Sequence, residues 1–310
     1  MINKEINFSV VIPLYNKQNH IHEAINSVLE QTHKSFEVIV VDDGSTDNSN
    51  EIASAIRDPR LRIIRQDNRG VSAARNRGVK ESNNDWVAFL DADDTWEKGF
   101  LHEIFNLMQQ IPNCGMYTST FTSNFSMNLS IDQKNPYPLG FCTILDNIFD
   151  TLRIYHPFNS SCVAINRALL KKVGGFPDNI NAGEDTITWI KIGLVSKIGF
   201  INLPLSTYNN DADNRASDYL IPPDISAPAE FVDSLIKTNS IPIEILESAK
   251  EYLAKLLISS AKQKIRNHHP IEAIKILWKC KNTKKQIGIW IKILLFATIT
   301  LIFPKYSTRM

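Results

Sequence analysis

Trp86-Val87-Ala88-Phe89-Leu90-Asp91-Ala92-Asp93-Asp94 passes from five uncharged apolar residues straight into an acidic run. A run that short, carrying Trp, Val and Phe, reads as a strand buried within a sheet. Three earlier runs have the same character: Phe8 to Ile12, Phe36 to Val41 and Leu61 to Ile64. Between them lie helical segments. Ile21, Ala24, Ile25, Val28 and Leu29 recur at helical spacing after the first run, Asp47 to Arg57 follows the second, and Ser72 to Val79 follows the third. Glu97 to Gln109 reads as a helix after the fourth. Strand–helix alternation with short connections predicts an α/β fold on a mostly parallel sheet flanked by helices. Pro13 is expected to end the first strand, because proline cannot donate to a central ladder. Ser45 or Thr46 is expected to cap the second helix. Ligands of such sheets bind outside the carboxyl ends of the strands. The polar residues after the first, second and fourth strands are therefore expected to meet at one edge.

The middle of the chain is less regular. Phe125, Met127, Leu129 and Ile131 alternate with polar residues and suggest a half-exposed strand. Asn135 to Gly140 contains two prolines and reads as a loop. Cys162 to Ile165 and Ile198 to Leu203 read as extended, and Glu184 to Val195 as helical. From about Pro228 the pattern is helical, with Ile245, Leu246, Ala249, Leu253, Leu256, Leu257 and Ile265 drawing one stripe and Pro270 opening a further helix. These patterns divide the chain into residues 1–220 and a helical extension, 221–310. Ile287 to Phe303 is strongly apolar and follows Lys279, Lys281, Lys284 and Lys285. It is marginal for a span, which needs about 20 apolar residues. An interfacial helix with cationic flanks over about 286–303 is the expectation, and a buried core helix is the alternative.

With 43% hydrophobic and 22% charged residues, the 310-residue chain has a globular composition, and its net charge of +1 offers no basic field for nucleic acid. Cys114, Cys142, Cys162 and Cys280 form no C-x-x-C pair and are expected to be inert thiols. Met1 to Asn7 is polar and does not resemble a signal peptide, so a cytoplasmic location is expected.

Carboxylates crowded at the end of a buried strand repel one another unless a cation sits among them. Their hard oxygens suit Mg²⁺ or Mn²⁺, with positions left for phosphate oxygens. Such an ion neutralises charge on a departing diphosphate. A plain acidic surface turn remains open as the alternative. Asp42 ends an otherwise apolar strand and can accept a hydrogen bond from a uracil N–H, and Tyr15 can stack on a base. A capping Asp and a core Tyr are the alternatives there.

The order Val10-Val11-Ile12-Pro13-Leu14-Tyr15-Asn16, Val40-Val41-Asp42-Asp43-Gly44-Ser45-Thr46-Asp47, Asn68-Arg69-Gly70, Ala74-Arg75-Asn76-Arg77-Gly78 and Leu90-Asp91-Ala92-Asp93-Asp94 resembles family 2 glycosyltransferases, inverting enzymes of the GT-A fold. The resemblance is dense over about residues 7–110. It resumes at Gly174-Gly175-Phe176 and Gly183-Glu184-Asp185-Thr186 and reaches about Asp218. It implies that residues 1–220 form a catalytic domain taking a nucleotide sugar, expected to be a UDP-sugar. Asp42 would contact the base, with Pro13 and Tyr15 lining its pocket and Arg75 close to the nucleotide. Asp91 would lie near the ribose and metal-bound water, and Asp93 would ligate Mg²⁺ or Mn²⁺. Asp185 would be the catalytic base, with Glu184 positioning it or the acceptor. Arg215 would reach the diphosphate, in a loop where relatives often carry His or Arg and where this chain has no His; an ordinary solvated Arg is the alternative. The acceptor is expected to be a glycan or lipid-linked hydroxyl met at the cytoplasmic membrane face, as in surface polysaccharide synthesis.

Read from the residues alone, Glu184-Asp185 also suits a helix start, where acidic side chains meet the macrodipole. A sugar nucleotidyltransferase is disfavoured because no glycine-rich loop follows the first strand. A hydride-transferring enzyme is disfavoured because no G-x-G-x-x-G is present. A non-catalytic binder would be favoured by loss of Asp93 or Asp185, and both are retained.

Overall fold

The computed structural model describes residues 6–123, 135–180, 182–212 and 225–302. The chain forms two compact units, Met1–Ile148 with Tyr155–Tyr219, and Phe149–Ile154 with Leu220–Met310. The alternating segment that begins at Phe125, and Arg215, lie outside the described residues.

The first unit is built on one sheet. β1 (Phe8–Leu14), α1 (Ile21–Leu29), β2 (Phe36–Asp42), α2 (Ser49–Ala55), β3 (Leu61–Arg65), α3 (Val71–Glu81) and β4 (Trp86–Phe89) alternate in order. Then come β5 (Thr95–Trp96), α4 (Phe100–Gln110), β6 (Met116–Ser123) and β7 (Cys142–Ile144), and next in the chain is α5 (Ile148–Ile154), which belongs to the second unit from Phe149 on. A 3-10 turn at Ser160–Cys162, β8 (Val163–Asn166), α6 (Arg167–Lys172), α7 (Glu184–Gly193) and β9 (Ile198–Tyr208) follow. The strand order is β3-β2-β1-β4-β8-β6-β9-β5, with β7 paired to β9.

The first four strands are parallel, as expected. β8 then runs antiparallel to both β4 and β6, so the sheet as a whole is mixed. Short apolar runs such as β8 encode burial and face, but nothing in their pattern encodes direction.

Pro13 does not end β1. The ladder with β4 stops at Val11↔Phe89, while the ladder with β2 continues to Leu14↔Asp42. The Val11 carbonyl accepts from Leu90 N on the β4 side, and the Leu14 carbonyl accepts from Asp43 N on the β2 side. By alternation Pro13 points its missing N–H toward the β4 side, just past the end of that ladder. No hydrogen bond is lost there.

Both faces of the sheet are covered. Val10, Ile12, Leu14, Val38 and Val40 join a core with α1 and α4, while Ile39 and Val41 meet Ala74 of α3 on the other face. Helix α3 approaches β1 closely because Gly78 has no side chain: a Cβ there would lie 2.3 Å from Val11 Cγ1. On the same face Phe89 stands edge-on to Phe176 at 5.2 Å, and Phe176 meets Trp189 of α7 at 5.8 Å.

The second unit contains α8 (Ala227–Lys237), α9 (Ile243–Arg266), α10 (Pro270–Lys279) and α11 (Ile287–Ile302). Leu257, Ala261 and Ile265 of α9 pack with Ala273 and Leu277 of α10 and with Ile293 and Ala297 of α11. Glu251 of α9 fixes the approach to α11: it accepts from Thr283 Oγ1, Lys284 N and Lys285 N. Among the described residues one face of α11 is covered, the face carrying Ile293 and Ala297. Ile289, Leu295, Ile299 and Leu301 are exposed, as is Trp278 of α10. Among the described residues no helix is long and apolar enough to cross a membrane. The cysteines are all free thiols, with Cys114, Cys162 and Cys280 buried.

Candidate active site

The acidic run leaves β4 with each carboxylate held differently. Asp94 turns inward, where Ser161 Oγ donates to Oδ2 at 2.6 Å and Asn209 N donates to Oδ1 at 3.0 Å. Ser161 Oγ also accepts from Asp91 N at 3.0 Å, so one serine braces both ends of the turn. Burial, reinforced by the charges of Asp91 and Asp93, pushes the Asp94 carboxyl well above the usual carboxylate range. Asp91 and Asp93 face the open side. Arg75 Nη2 donates to Asp91 Oδ1 at 2.7 Å, and Lys17 Nζ donates to Asp93 Oδ2 at 2.7 Å.

Arg75 also reaches α7, where Nη1 donates to Glu184 Oε1 at 2.8 Å. One buried guanidinium thus joins the end of β4 to the start of α7. Burial disfavours its charge, and the carboxylates of Asp91, Glu184 and Asp185 outweigh that and hold the proton on. Burial pushes the Glu184 carboxyl up, and Arg75 opposes it. Asp185 is raised in the same way, with Arg75 and hydrogen bonds from Thr186 working against burial. Both acids begin α7 after Gly183, whose φ of 85° lies in the left-handed region. The helix-start role and the carboxylate pair therefore coexist.

The motif around Arg75 gives three neighbouring residues separate jobs. Arg75 holds the carboxylates, and Gly78 seats α3 on β1. Asn76 donates from Nδ2 to the Phe176 carbonyl at 2.8 Å and accepts from Phe176 N at 2.9 Å. This fixes Gly175, whose φ is 66° and whose added Cβ would stand 2.5 Å from Asn76 Oδ1.

The loops after β1 and β2 are laced together. Asn16 N donates to Ser45 Oγ, Lys17 N to Ser49 Oγ and Gln18 N to Asp47 Oδ2, while Thr46 N donates to Asn16 Oδ1. Ser45 and Thr46 serve this lacing and do not cap α2, and it is Asp47 Oδ1 that accepts from Ser49 N at 3.0 Å. Asp42 is wholly buried, accepting from Ser45 N at 2.9 Å and from Asn50 Nδ2 at 2.9 Å, with Arg65 Nε 3.6 Å away. It does the turn-holding work of a capping Asp; two of its four lone-pair directions are used by these hydrogen bonds. Tyr15 is 45% exposed, which removes the core reading, whereas Pro13 is buried in β1. Asp43 accepts from Gln66 Nε2, Arg69 N and Gly70 N, pinning the Asn68-Arg69-Gly70 turn that opens α3.

Asp93, Asp91, Arg75, Glu184 and Asp185 are therefore gathered, directly or through neighbours, at the carboxyl end of β4. Sequence reasoning missed Lys17, Asp43, Asn76, Asp94 and Ser161. Asp43 and Asn76 stood inside quoted motifs, but Ser161 carried no signal because its role depends on a contact 67 residues away. Among the described residues no group of three or more His, Cys, Asp or Glu is placed to hold a metal. Asp93, with Asp91 close by in sequence, is the carboxylate that would hold an ion such as Mg²⁺, which is commonly bound by one or two carboxylates together with substrate phosphates.

Three comparisons bear on identity. The chain is 35% identical over 205 residues to an uncharacterized glycosyltransferase of Rickettsia felis, covering 64% of this chain and 32% of that protein. It is 30% identical over 296 residues to one of Rickettsia conorii, covering 87% and 47%. The chain thus spans from about a third to just under half of the length of these relatives. Its fold is shared with S. aureus TarS residues 1–349 in complex with UDP-GlcNAc, at a TM-score of 0.72 and 19% identity over 98% of this chain and 90% of that one. It is shared also with the mannosyltransferase PcManGT of Pyrobaculum calidifontis in complex with GDP-Man and Mn²⁺, at a TM-score of 0.58 and 20% identity over 99% and 84%. Residues 9–174, more than half of the chain, match the family described as Glycosyl transferase family 2, and the chain belongs to that family.

Proposed function

We propose that this chain transfers a sugar from a nucleoside-diphosphate sugar to an acceptor hydroxyl with inversion, Asp185 acting as base and Asp93 holding Mg²⁺ or Mn²⁺. The observation that carries the reading is the Arg75 bridge. It couples the acidic end of β4, suited to the leaving diphosphate, to the carboxyl pair that opens α7. The acceptor oxygen attacks the anomeric carbon and its proton passes to the Asp185 carboxylate. The anomeric carbon–phosphate oxygen bond breaks, and its electron pair leaves with the nucleoside diphosphate. When bound, the metal ion supplies charge neutralisation at that leaving group. Tyr15 offers an exposed ring for base stacking. UDP is the proposed nucleotide; support comes from the shared fold with TarS in complex with UDP-GlcNAc.

A screen of UDP- and GDP-sugars with Mn²⁺, read by nucleoside diphosphate release, tests this. Release from one class, lost in Asp93→Ala, is expected. Transfer that survives Asp93→Ala would sink the metal assignment.

The acceptor is proposed to be glycan or lipid-linked and met at the cytoplasmic face of a membrane. Support comes from α11 and its approach: exposed Ile and Leu side chains, exposed Trp278 with Lys281 Nζ 5.5 Å from its ring centre, and the lysines at 279, 281, 284 and 285. Each basic residue near an anionic surface contributes about 1 kcal/mol. Co-sedimentation with anionic but not neutral vesicles is expected. Equal partitioning after removal of residues 286–310 would overturn this part of the reading.

A further inference from the structure

Lys17 and Asp93 form an ion pair at 2.7 Å, with side chains 11% and 16% exposed. The pair links the carboxyl ends of β1 and β4, adjacent strands at which the strand order reverses direction. In open α/β sheets that switch point is where ligands dock. Lys17 is fixed at its root. Its N–H donates to Ser49 Oγ at 2.7 Å, and its carbonyl accepts from His20 N and Ile21 N at 3.0 and 2.9 Å. Beyond that root the side chain is a flexible four-carbon stem ending in a point charge, able to shift between nearby anions. An ammonium and a divalent cation compete for one carboxylate, and an ammonium also binds phosphate.

We propose that Lys17 occupies Asp93 in the ligand-free protein and moves its ammonium to the donor diphosphate on binding, leaving Asp93 to the divalent cation. This rests on the glycosyltransferase reading above and adds an order to it. Lys17 opposes metal binding to the empty protein and favours nucleotide binding, so metal and nucleotide enter together. The same residue therefore acts in opposite directions on the two ligands, which a merely structural lysine would not do.

The test uses the full chain as wild type, Lys17→Met and Lys17→Arg. Mn²⁺ binding without nucleotide is read from the loss of the free-ion electron paramagnetic resonance signal. UDP binding in EDTA is read by calorimetry, and thermal unfolding checks the fold. Lys17→Met is expected to bind Mn²⁺ roughly three- to fivefold more tightly than wild type, the size of a partly exposed ion pair. It is expected to bind metal-free UDP several-fold more weakly, and Lys17→Arg to stay close to wild type in both. Unchanged or weaker Mn²⁺ binding by folded Lys17→Met, or unchanged UDP binding, would overturn the proposal. Failure of the wild type to bind UDP even with Mn²⁺ would instead remove the functional reading, and this inference with it.

Discussion

The Arg75 guanidinium donates to Glu184 Oε1 at 2.8 Å across 109 residues of sequence, while its other terminal nitrogen holds Asp91. The contact is almost dry: the Arg75 side chain is 3% exposed and that of Glu184 11%. Breaking a buried pair by removing one partner leaves the other charge uncompensated, which costs about 3–5 kcal/mol. Arg75→Met is therefore expected to lower unfolding free energy by about that amount, read from urea denaturation. Arg75→Met with Glu184→Gln should recover part of the loss, because the stranded charge is gone. A full-sized loss in the double variant would show that the effect lies in packing against Phe176, whose ring centre lies 5.3 Å from the guanidinium carbon.

Asp185 is raised by burial, and Thr186 holds it lower through its N–H and its Oγ1. A base works as the carboxylate, so kcat/KM is expected to fall as pH drops through a value above the ordinary Asp range. Thr186→Val removes a hydrogen bond that favours the charged form, and the acid limb should move to higher pH. Asp185→Asn should reduce transfer about 10²- to 10⁴-fold with donor affinity retained. An acid limb unmoved in Thr186→Val would argue that another group titrates.

Asp43 accepts three hydrogen bonds, from Gln66, Arg69 and Gly70, and so fixes the turn that opens α3. Asp43→Ala leaves those donors without their acceptor, and hydrogen bonds to a charged group are worth about 1.5–3 kcal/mol each when made. The expected result is a loss of a few kcal/mol, with faster amide exchange at Arg69 and Gly70. Hydrogen-exchange mass spectrometry over residues 66–81 checks it, and unchanged protection there would count against the role given to Asp43.

Glu37 joins four hydrogen bonds at the opposite, amino-terminal end of the parallel strands, from Ser9 Oγ, Asn83 N, Asn83 Nδ2 and Arg62 Nη2. Burial pushes its carboxyl up, but these bonds outweigh burial and hold it below the usual carboxylate range. The folded state thus keeps Glu37 ionised to lower pH than the unfolded chain does. Its contribution is complete above the unfolded value and is lost as pH falls through the folded one. Glu37→Gln should lower Tm at pH 7 and flatten the decline of Tm below about pH 4.5. An equal drop in Tm at pH 7 and pH 3 would show that the charge is not what stabilises.

Short apolar runs separated by helical spacing were sufficient to place β1 to β4 and the helices between them, because burial on both faces marks nearly every residue of β1, β2 and β4, and the half-buried edge strand β3 keeps enough of the same pattern. The acidic run was legible for the same reason: polar residues directly after a buried strand have nowhere to go but the sheet's edge. The sequence by itself therefore determined the parallel half of the sheet, the edge at which its acidic residues gather and the carboxylates available there. Tertiary structure alone decided the rest. Strand direction in β8, the tolerance of Pro13, the division of labour among Asp91, Asp93 and Asp94, and the pairing of Lys17 with Asp93 all depend on which atoms meet across dozens of residues. Hydrogen bonds and ion pairs are directional and short-ranged, so their partners follow from the assembled sheet and leave no periodic trace in the chain.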